Sequence, residues 1–332
     1  MEKTKQHYQH AELAQAAYGT FSPVGTIDLG ALTHENVGMP ESQATEFSAT
    51  WKVVDQYTAP STDGNAGSGF SATMFQNIST GKYVFAVRGT EPGEKNDGEA
   101  DLFGIEGTDF ALRQVVDLYN YRKNLEVPAG QAYQAAYLQL DDVKTAGLVA
   151  TALGDGYPAY RLQLEKAGYW VEGTNVYTLA IGASTDVATS GLETGRLSTT
   201  LDFSDGYDVV GHSLGGHLSL VLGRLDSNNV ENVTTFNPLY FDTAVFSPYF
   251  IHQPSERFFQ QLSQLESAVY GSGDIANKIG TNQPKVSYII FSEGDSASTP
   301  VGAHSMIPIT DMLSAELSGP ASSCPHSKPG QA

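Results

Sequence analysis

The stretch that decides the fold is Gly211-His212-Ser213-Leu214-Gly215, which fits the pattern G-x-S-x-G. The residues before it, 207–210, are mostly apolar and partly β-branched, which predicts a buried strand. The residues after it, 216–225, predict a helix packed against a sheet. A strand-to-helix turn this sharp strains the backbone and leaves the serine hydroxyl exposed. The pattern therefore predicts a nucleophile elbow, in which small residues on either side of Ser213 let strand and helix approach.

Composition and charge limit the classes of function. The chain has 332 residues, 40% of them hydrophobic and 17% charged, which is typical of a globular protein with a sizeable core. Its formal net charge of −19 predicts repulsion from nucleic acid, so we expect no nucleic-acid partner. An anionic membrane would not attract it electrostatically either, and any lipid contact would have to be apolar.

The single cysteine and the chain's ends bear on localisation. Cys324 is the only cysteine, so no intrachain disulfide can form. Residues 1–7 lack the apolar segment of a signal peptide, and no run approaches the roughly 18 apolar residues of a spanning helix. Because strong acidity favours solubility outside a cell, we expect a secreted or extracellular protein without a visible signal peptide. The sequence does not identify any accessory or export partner.

The pattern along the chain predicts an α/β fold with a mostly parallel central sheet and helices on both faces. We expect one domain over residues 1–317, with an inserted cap or extra layer at about 130–200 and a disordered tail at 318–332. The individual elements are predicted as helices at 10–18, 110–121 and 255–270, strands at 51–57, 70–77, 83–88, 175–179, 230–236 and 286–291, and a loop over 20–48.

A serine hydroxyl is a poor nucleophile unless a base removes its proton and an acid orients that base. In the chain order typical of this elbow, the acid and then the histidine follow the serine. Asp295 follows the strand predicted at 286–291 and so lies at a carboxyl end. Asp242, beyond the strand at 230–236, is the rival acid, and Glu293 is a weaker one.

The base is sought among the downstream histidines. His304 lies in a loop shortly after Asp295, which suits a base that reaches over the elbow. His252 precedes that acid, and His326 lies in the tail. His212, next to the serine, is expected to pack or to form a local hydrogen bond rather than act as the base.

Two donors are expected for a developing oxyanion. The N–H of Leu214 lies at the start of the elbow helix, and the turn after the strand at 83–88 supplies the second donor. There Gly89 permits close approach, and Thr90 offers both an N–H and a hydroxyl. The histidines lack metal-ligand spacing, so no catalytic metal or other cofactor is expected, while a structural Ca²⁺ ion stays an open question.

Several of these motifs together resemble the class 3 lipases, which are α/β-hydrolases that include triacylglycerol lipases and A1-type phospholipases. The resemblance implies an α/β-hydrolase fold, a Ser213–Asp295–His304 triad and an oxyanion hole formed by Thr90 and Leu214. It also implies a lid at about 91–107, which here is acidic and glycine-rich. The motifs that carry it are 86–90 (AVRGT), 210–218 (VGHSLGGHL), 235–238 (TFNP), 294–295 (GD) and 302–304 (GAH).

The expected function is therefore a lipolytic carboxylic ester hydrolase of the phospholipase A1 or triacylglycerol lipase type. It would meet its lipid or phospholipid substrate at an interface, and resemblance to bacterial signal-less phospholipases A1 favours glycerophospholipids. Two alternatives remain: an esterase for short-chain or polyester substrates with an open cleft, and a non-catalytic hydrolase-like binding protein.

Overall fold

A seven-stranded sheet forms the centre of the computed structural model of this chain. It contains strands from both halves of the sequence, in the order β1-β2-β3-β9-β10-β11-β12. The residues that the structure describes are 2–21, 25–59, 68–89, 111–141, 150–151, 154–166, 170–171, 175–181, 192–195, 197, 200–239, 266–271, 287–290 and 306–318.

The sheet is mixed, and its greater part is parallel. β1 and β2 pair antiparallel, as do β2 and β3, whereas every pair from β3 through β12 is parallel. The strands expected at 70–77 and 83–88 are thus neighbours that pair antiparallel. The strands of this sheet are β1 (Trp51–Thr58), β2 (Ser71–Asn77), β3 (Tyr83–Val87), β9 (Tyr207–His212), β10 (Val230–Phe236), β11 (Glu266–Gly271) and β12 (Ser287–Ile290).

Helices cover both faces of the sheet, as expected. Two of them, α4 and α6, pack on one face, and α1, α3 and α7 pack on the other. The described helices are α1 (Glu2–Ala16), α2 (Leu29–Thr33), α3 (Glu41–Thr50), α4 (Leu112–Glu126), α5 (Tyr157–Lys166), α6 (Leu214–Leu225) and α7 (Met306–Ser318). None of them is long and apolar enough to cross a membrane.

The alternation of side chains along the central strands builds the two layers of the core. Phe85 and Val87 of β3 face α4 and α6, while Val84 and Ala86 face α1 and α7. Successive side chains of a strand point to opposite faces, so an entirely apolar strand fills both layers. This explains why β3 has no polar stripe.

The segment at 130–200, expected as an inserted layer, contributes nothing to the large sheet in its described part. Its strands form two small antiparallel sheets, one of β4 (Ala132–Gln134) with β8 (Leu192–Thr194), the other of β5 (Ala136–Asp141), β6 (Trp170–Val171) and β7 (Asn175–Ile181). The expected lid at 91–107 lies outside the described residues, as does the tail beyond Ser318.

The loop expected over residues 20–48 is wrong at residues 29–33 and 41–48, where helices α2 and α3 form. Proline tolerates the position before a helix, and Pro40 is the N-cap, followed by Glu41 in the first turn. The serine and threonine residues that suggested a loop bond back to helix carbonyls instead, as Thr45 Oγ1 does to the Glu41 oxygen at 2.7 Å. Ala44 and Phe47 bury the inner face of the helix.

The helix expected at 255–270 is wrong for residues 266–270, which belong to strand β11. This short run pairs in parallel with β10, from Val233 opposite Glu266 to Phe236 opposite Val269. Short apolar runs have no decisive periodicity. Burial decides here, because Glu266 lies inside the protein against Arg224 of α6, with the Arg224 Nε 3.1 Å from the Glu266 Oε1.

Candidate active site

The elbow lies where three adjacent parallel strands end. In the register of the sheet, Val87 of β3 is the partner of Gly211 of β9, and Phe236 of β10 is the partner of His212. Ser213 is therefore flanked by the residues that follow β3 and β10. Ligands of α/β proteins bind at this carboxyl edge of the sheet.

Ser213 has the strained backbone that the motif predicts. Its φ of 55° and ψ of −123° fall in a region that residues with a side chain rarely adopt. Among the described residues, only Asn237 is another non-glycine residue with positive φ, at 44°. The side chain of Ser213 makes no capping hydrogen bond to α6 and is half-buried.

Gly211 and Gly215 permit the close packing of strand and helix. A Cβ atom at Gly211 would lie 2.5 Å from the Ser219 Oγ and closer still to the Gly215 carbonyl oxygen. A Cβ atom at Gly215 would lie 2.7 Å from the Arg88 carbonyl carbon. The prediction that small residues around Ser213 let the strand and helix approach is confirmed.

Leu214 is the first residue of helix α6, as expected for an oxyanion donor. Its N–H is one of the amides that have no partner within a helix, and the helix dipole adds partial positive charge there. A negatively charged oxygen beside the Ser213 side chain would be stabilised by both effects.

The end of β3 lies directly against the turn that carries Ser213. A Cβ atom at Gly89 would lie 2.5 Å from the His212 carbonyl oxygen and 3.3 Å from the Ser213 Cβ. The close approach expected at Gly89 is confirmed, because only a residue without a side chain fits. Thr90, the expected second donor, follows at once in the sequence and lies outside the described residues.

His212 is buried and is held by a residue that the sequence analysis did not identify. Its Nδ1 lies 2.8 Å from the Tyr18 hydroxyl, which comes from just beyond helix α1. This bond joins residues 194 positions apart, and no local pattern around Tyr18 signals it. The expectation that His212 forms a hydrogen bond is met, but its partner is distant in sequence rather than local.

The backbone of Ser213 is fixed by neighbouring segments. Its N–H donates to the Phe236 oxygen at 2.9 Å. Its carbonyl oxygen accepts from the N–H of His217 at 3.1 Å and from the N–H of Leu239 at 3.3 Å. The turn is thus bonded to β10, to its own helix and to the segment after β10, which holds the strained residue in place.

The described residues thus contain Ser213 and Leu214 of the expected site. Asp295 and His304 lie outside them, as do the alternative candidates Asp242, Glu293, His252 and His326. Within the described part of the chain, no group of three or more histidine, cysteine, aspartate or glutamate side chains could hold a metal ion.

Comparison with known proteins gives structural neighbours only. No protein-family model matches the chain, and no curated protein matches it in sequence. The Lip2 lipase of Yarrowia lipolytica superposes with a TM-score of 0.38 at 13% identity, covering 88% of this chain and 81% of that one. A lipase of Rhizopus microsporus var. chinensis gives 0.35 at 12% identity, covering 89% and 76%. The Rhizomucor miehei lipase propeptide complex gives 0.34 at 11% identity, covering 94% and 77%.

Proposed function

We propose that this protein is a serine ester hydrolase that cleaves acyl esters of glycerolipids. The observation that carries the proposal is the elbow itself: a strained Ser213 between a buried strand and a helix start, at the carboxyl edge of a mostly parallel sheet. Strain of this kind persists where function requires it, because a relaxed turn would be more stable.

In the proposed reaction, the Ser213 Oγ attacks the acyl carbonyl while His304 takes the hydroxyl proton, oriented by Asp295. The carbonyl oxygen becomes an oxyanion that accepts hydrogen bonds from Leu214 and Thr90. Collapse breaks the ester bond, and His304 passes the proton to the departing alcohol. Water then releases the fatty acid from the acyl-enzyme by the reverse sequence of proton transfers. No cofactor takes part in these steps.

The direction of helix α7 supports the role of His304. Gln15 of α1 accepts a hydrogen bond from the Thr310 hydroxyl, and Tyr8 bonds to Ser314. The two helices are therefore antiparallel, and α7 begins beside the end of α1. That end carries Tyr18, whose hydroxyl touches the elbow. Met306, the first residue of α7, therefore lies near the end of α1 that leads to Tyr18, and residue 304 is two positions earlier in the sequence.

The preference for glycerolipids rests on the sequence motifs shared with class 3 lipases. Among these lipids we propose glycerophospholipids cleaved in the manner of a phospholipase A1, and triacylglycerols as the second choice. An extracellular location is part of the same proposal.

The decisive experiment compares wild type with Ser213→Ala in hydrolysis of emulsified lipids and of p-nitrophenyl esters. The matched control is Ser219→Ala, a buried serine on the same helix whose hydroxyl bonds to the Gly215 carbonyl oxygen at 2.7 Å. We expect Ser213→Ala alone to abolish hydrolysis and labelling by a fluorophosphonate. Full activity in Ser213→Ala would end the proposal, and a wild type that is neither active nor labelled would favour the non-catalytic binding protein.

Substrate class is settled by two further measurements. A phospholipid with different acyl chains at its two positions shows which ester is cleaved, and release of the chain from position 1 is the expected result. A series of p-nitrophenyl esters of increasing acyl length tests the esterase alternative, which predicts a sharp preference for short chains.

A further inference from the structure

His217 is a buried polar residue beside the nucleophile to which the proposed reaction assigns no role. It lies one helical turn after Ser213, and its N–H bonds to the Ser213 carbonyl oxygen at 3.1 Å. Its side chain is fully buried. Histidine is seldom completely buried, and a buried polar ring requires hydrogen-bond partners.

The partners of the imidazole come from two segments far apart in sequence. The Nε2 atom accepts a hydrogen bond from the backbone N–H of Ala111 at 3.4 Å. Ala111 is the N-cap of helix α4 and has no side chain that could cap the helix itself. The backbone of Leu239 lies close to the ring, and the N–H of Leu239 bonds to the Ser213 carbonyl oxygen at 3.3 Å.

The ring suits this pair of partners only in its neutral form. Burial lowers the pKa of His217 from 6.5 to about 3, while the nearby backbone of Leu239 opposes that shift. A neutral imidazole has one N–H and one acceptor nitrogen. Because Nε2 accepts from Ala111, the N–H of the neutral ring belongs to Nδ1.

We propose that His217 is a positioning residue that fixes Ala111 and Leu239 against the nucleophile's helix. Ala111 directly follows the segment that contains Thr90 and the expected lid, and Leu239 follows β10. The ring thereby fixes the described residues that border the segments 90–110 and 240–265. This inference rests on the function proposed above and adds a residue that acts through backbone placement, without touching the substrate.

The test uses two variants of the full chain and two independent readouts. His217→Leu fills the space but removes the hydrogen bond to Ala111, whereas His217→Gln keeps one donor and one acceptor. The readouts are kcat and KM for a p-nitrophenyl ester, and amide hydrogen exchange. For His217→Leu we expect kcat to fall by about 10- to 100-fold with little change in KM, because small displacements of reacting groups have effects of this size. We expect His217→Gln to recover most of the loss.

Hydrogen exchange reports on the two segments without requiring activity. His217→Leu should speed exchange at residues 111–115 and at 239, and His217→Gln should restore protection. Should His217→Leu not fold, His217→Asn replaces it, since its shorter amide cannot reach both partners and the same changes are expected.

The matched control is Asn120→Leu in helix α4. Asn120 is also buried and also bonds to a backbone N–H and a backbone carbonyl, those of Ala136, at 2.7 and 2.9 Å. It ties α4 to β5 instead of to the elbow. We expect Asn120→Leu to speed exchange at Ala136. It should leave kcat within about threefold of wild type, because a substitution that shares no contact with the elbow has little effect there.

Four results decide the matter. Reduced kcat in His217→Leu with recovery in His217→Gln supports the proposal, and wild-type kcat with unchanged exchange overturns it. Loss of kcat in both His217 variants also overturns it, because hydrogen bonding would then not be the cause. If the wild type proves inactive, the proposed function fails on its own, and exchange at 111–115 and at 239 still shows whether His217 fixes these segments.

Discussion

Substitution of Gly215 by alanine perturbs the nucleophile's turn without touching the nucleophile. The added Cβ atom would lie 2.7 Å from the Arg88 carbonyl carbon, 2.8 Å from the Arg88 oxygen and closer still to the Val87 oxygen. Ordinary contacts of a Cβ atom begin at 3.4 Å. All three obstructing atoms belong to the backbone, so no side chain can rotate away. Helix α6 and the end of β3 must therefore separate by about 1 Å, as overpacked elements do.

The structure sets the size of the effect. Overpacking of a well-packed region costs about 1–3 kcal/mol, with larger values when backbone must move. Replacing glycine by alanine within a helix stabilises the helix by about 1 kcal/mol. We expect Gly215→Ala to lower the free energy of unfolding by about 2 kcal/mol, the difference between these two effects. Because Leu214 and Ser213 move with the helix, hydrolysis should fall by about 100-fold.

Urea unfolding and the rate of fluorophosphonate labelling measure the two effects. The control is Gly223→Ala on the same helix, where the added Cβ atom would lie 2.5 Å from a methyl carbon of Val233 instead of a backbone atom. Its labelling rate should equal that of wild type, and adding Val233→Ala should remove the clash. If Gly215→Ala is as stable and as readily labelled as Gly223→Ala, close packing at the elbow does not position the serine.

Three further predictions concern other buried polar groups. Burial raises the pKa of Glu12 from 4.5 to about 7, so the folded state holds a proton that the unfolded state releases, and the free energy of unfolding falls as pH rises from 4.5 to 7. Glu12→Gln should remove that decline, which amounts to at most about 3 kcal/mol in urea titrations at pH 4.5 and 7.5; a parallel decline in the variant would contradict this. Glu266→Ala leaves the Arg224 guanidinium buried without its carboxylate and should cost about 3–5 kcal/mol, whereas Arg224→Met with Glu266→Leu should be nearly neutral. Tyr18→Phe removes the hydrogen bond to His212 and should cost about 1 kcal/mol in thermal unfolding, and no change would show that the bond is dispensable.

The elbow was predictable from sequence because its requirements are local. Gly211 and Gly215 lie within the motif, and the flanking strand and helix follow from apolar pattern alone. The steric demand is also local, since strand and helix are consecutive in the chain. A short window of sequence therefore contained nearly all the information that specifies the turn.

Partners that approach from elsewhere in the chain were not predictable in this way. Tyr18 reaches His212 because α1 packs on the sheet face that Val84 and Ala86 of β3 occupy. This contact depends on the whole fold. Glu266 is a second example. Its segment forms a strand because it is buried beside β10, where Glu266 meets the Arg224 side chain. Local periodicity predicted a helix for that run because short apolar segments suit both structures.

The strain at the elbow is held by the sheet rather than by the turn's own side chains. Ser213 and Asn237 follow adjacent strands, and both have positive φ. The N–H of Ser213 bonds to the Phe236 oxygen on β10, and the N–H of Asn237 bonds to the Val269 oxygen on β11, both at 2.9 Å. Each strained residue thus continues the parallel ladder one step beyond its strand. Because such backbone strain costs about 1–3 kcal/mol per residue, it persists only while the neighbouring strand stays in register. The backbone position of Ser213 is therefore set by the central sheet, and the proposed acyl transfer requires a fixed nucleophile.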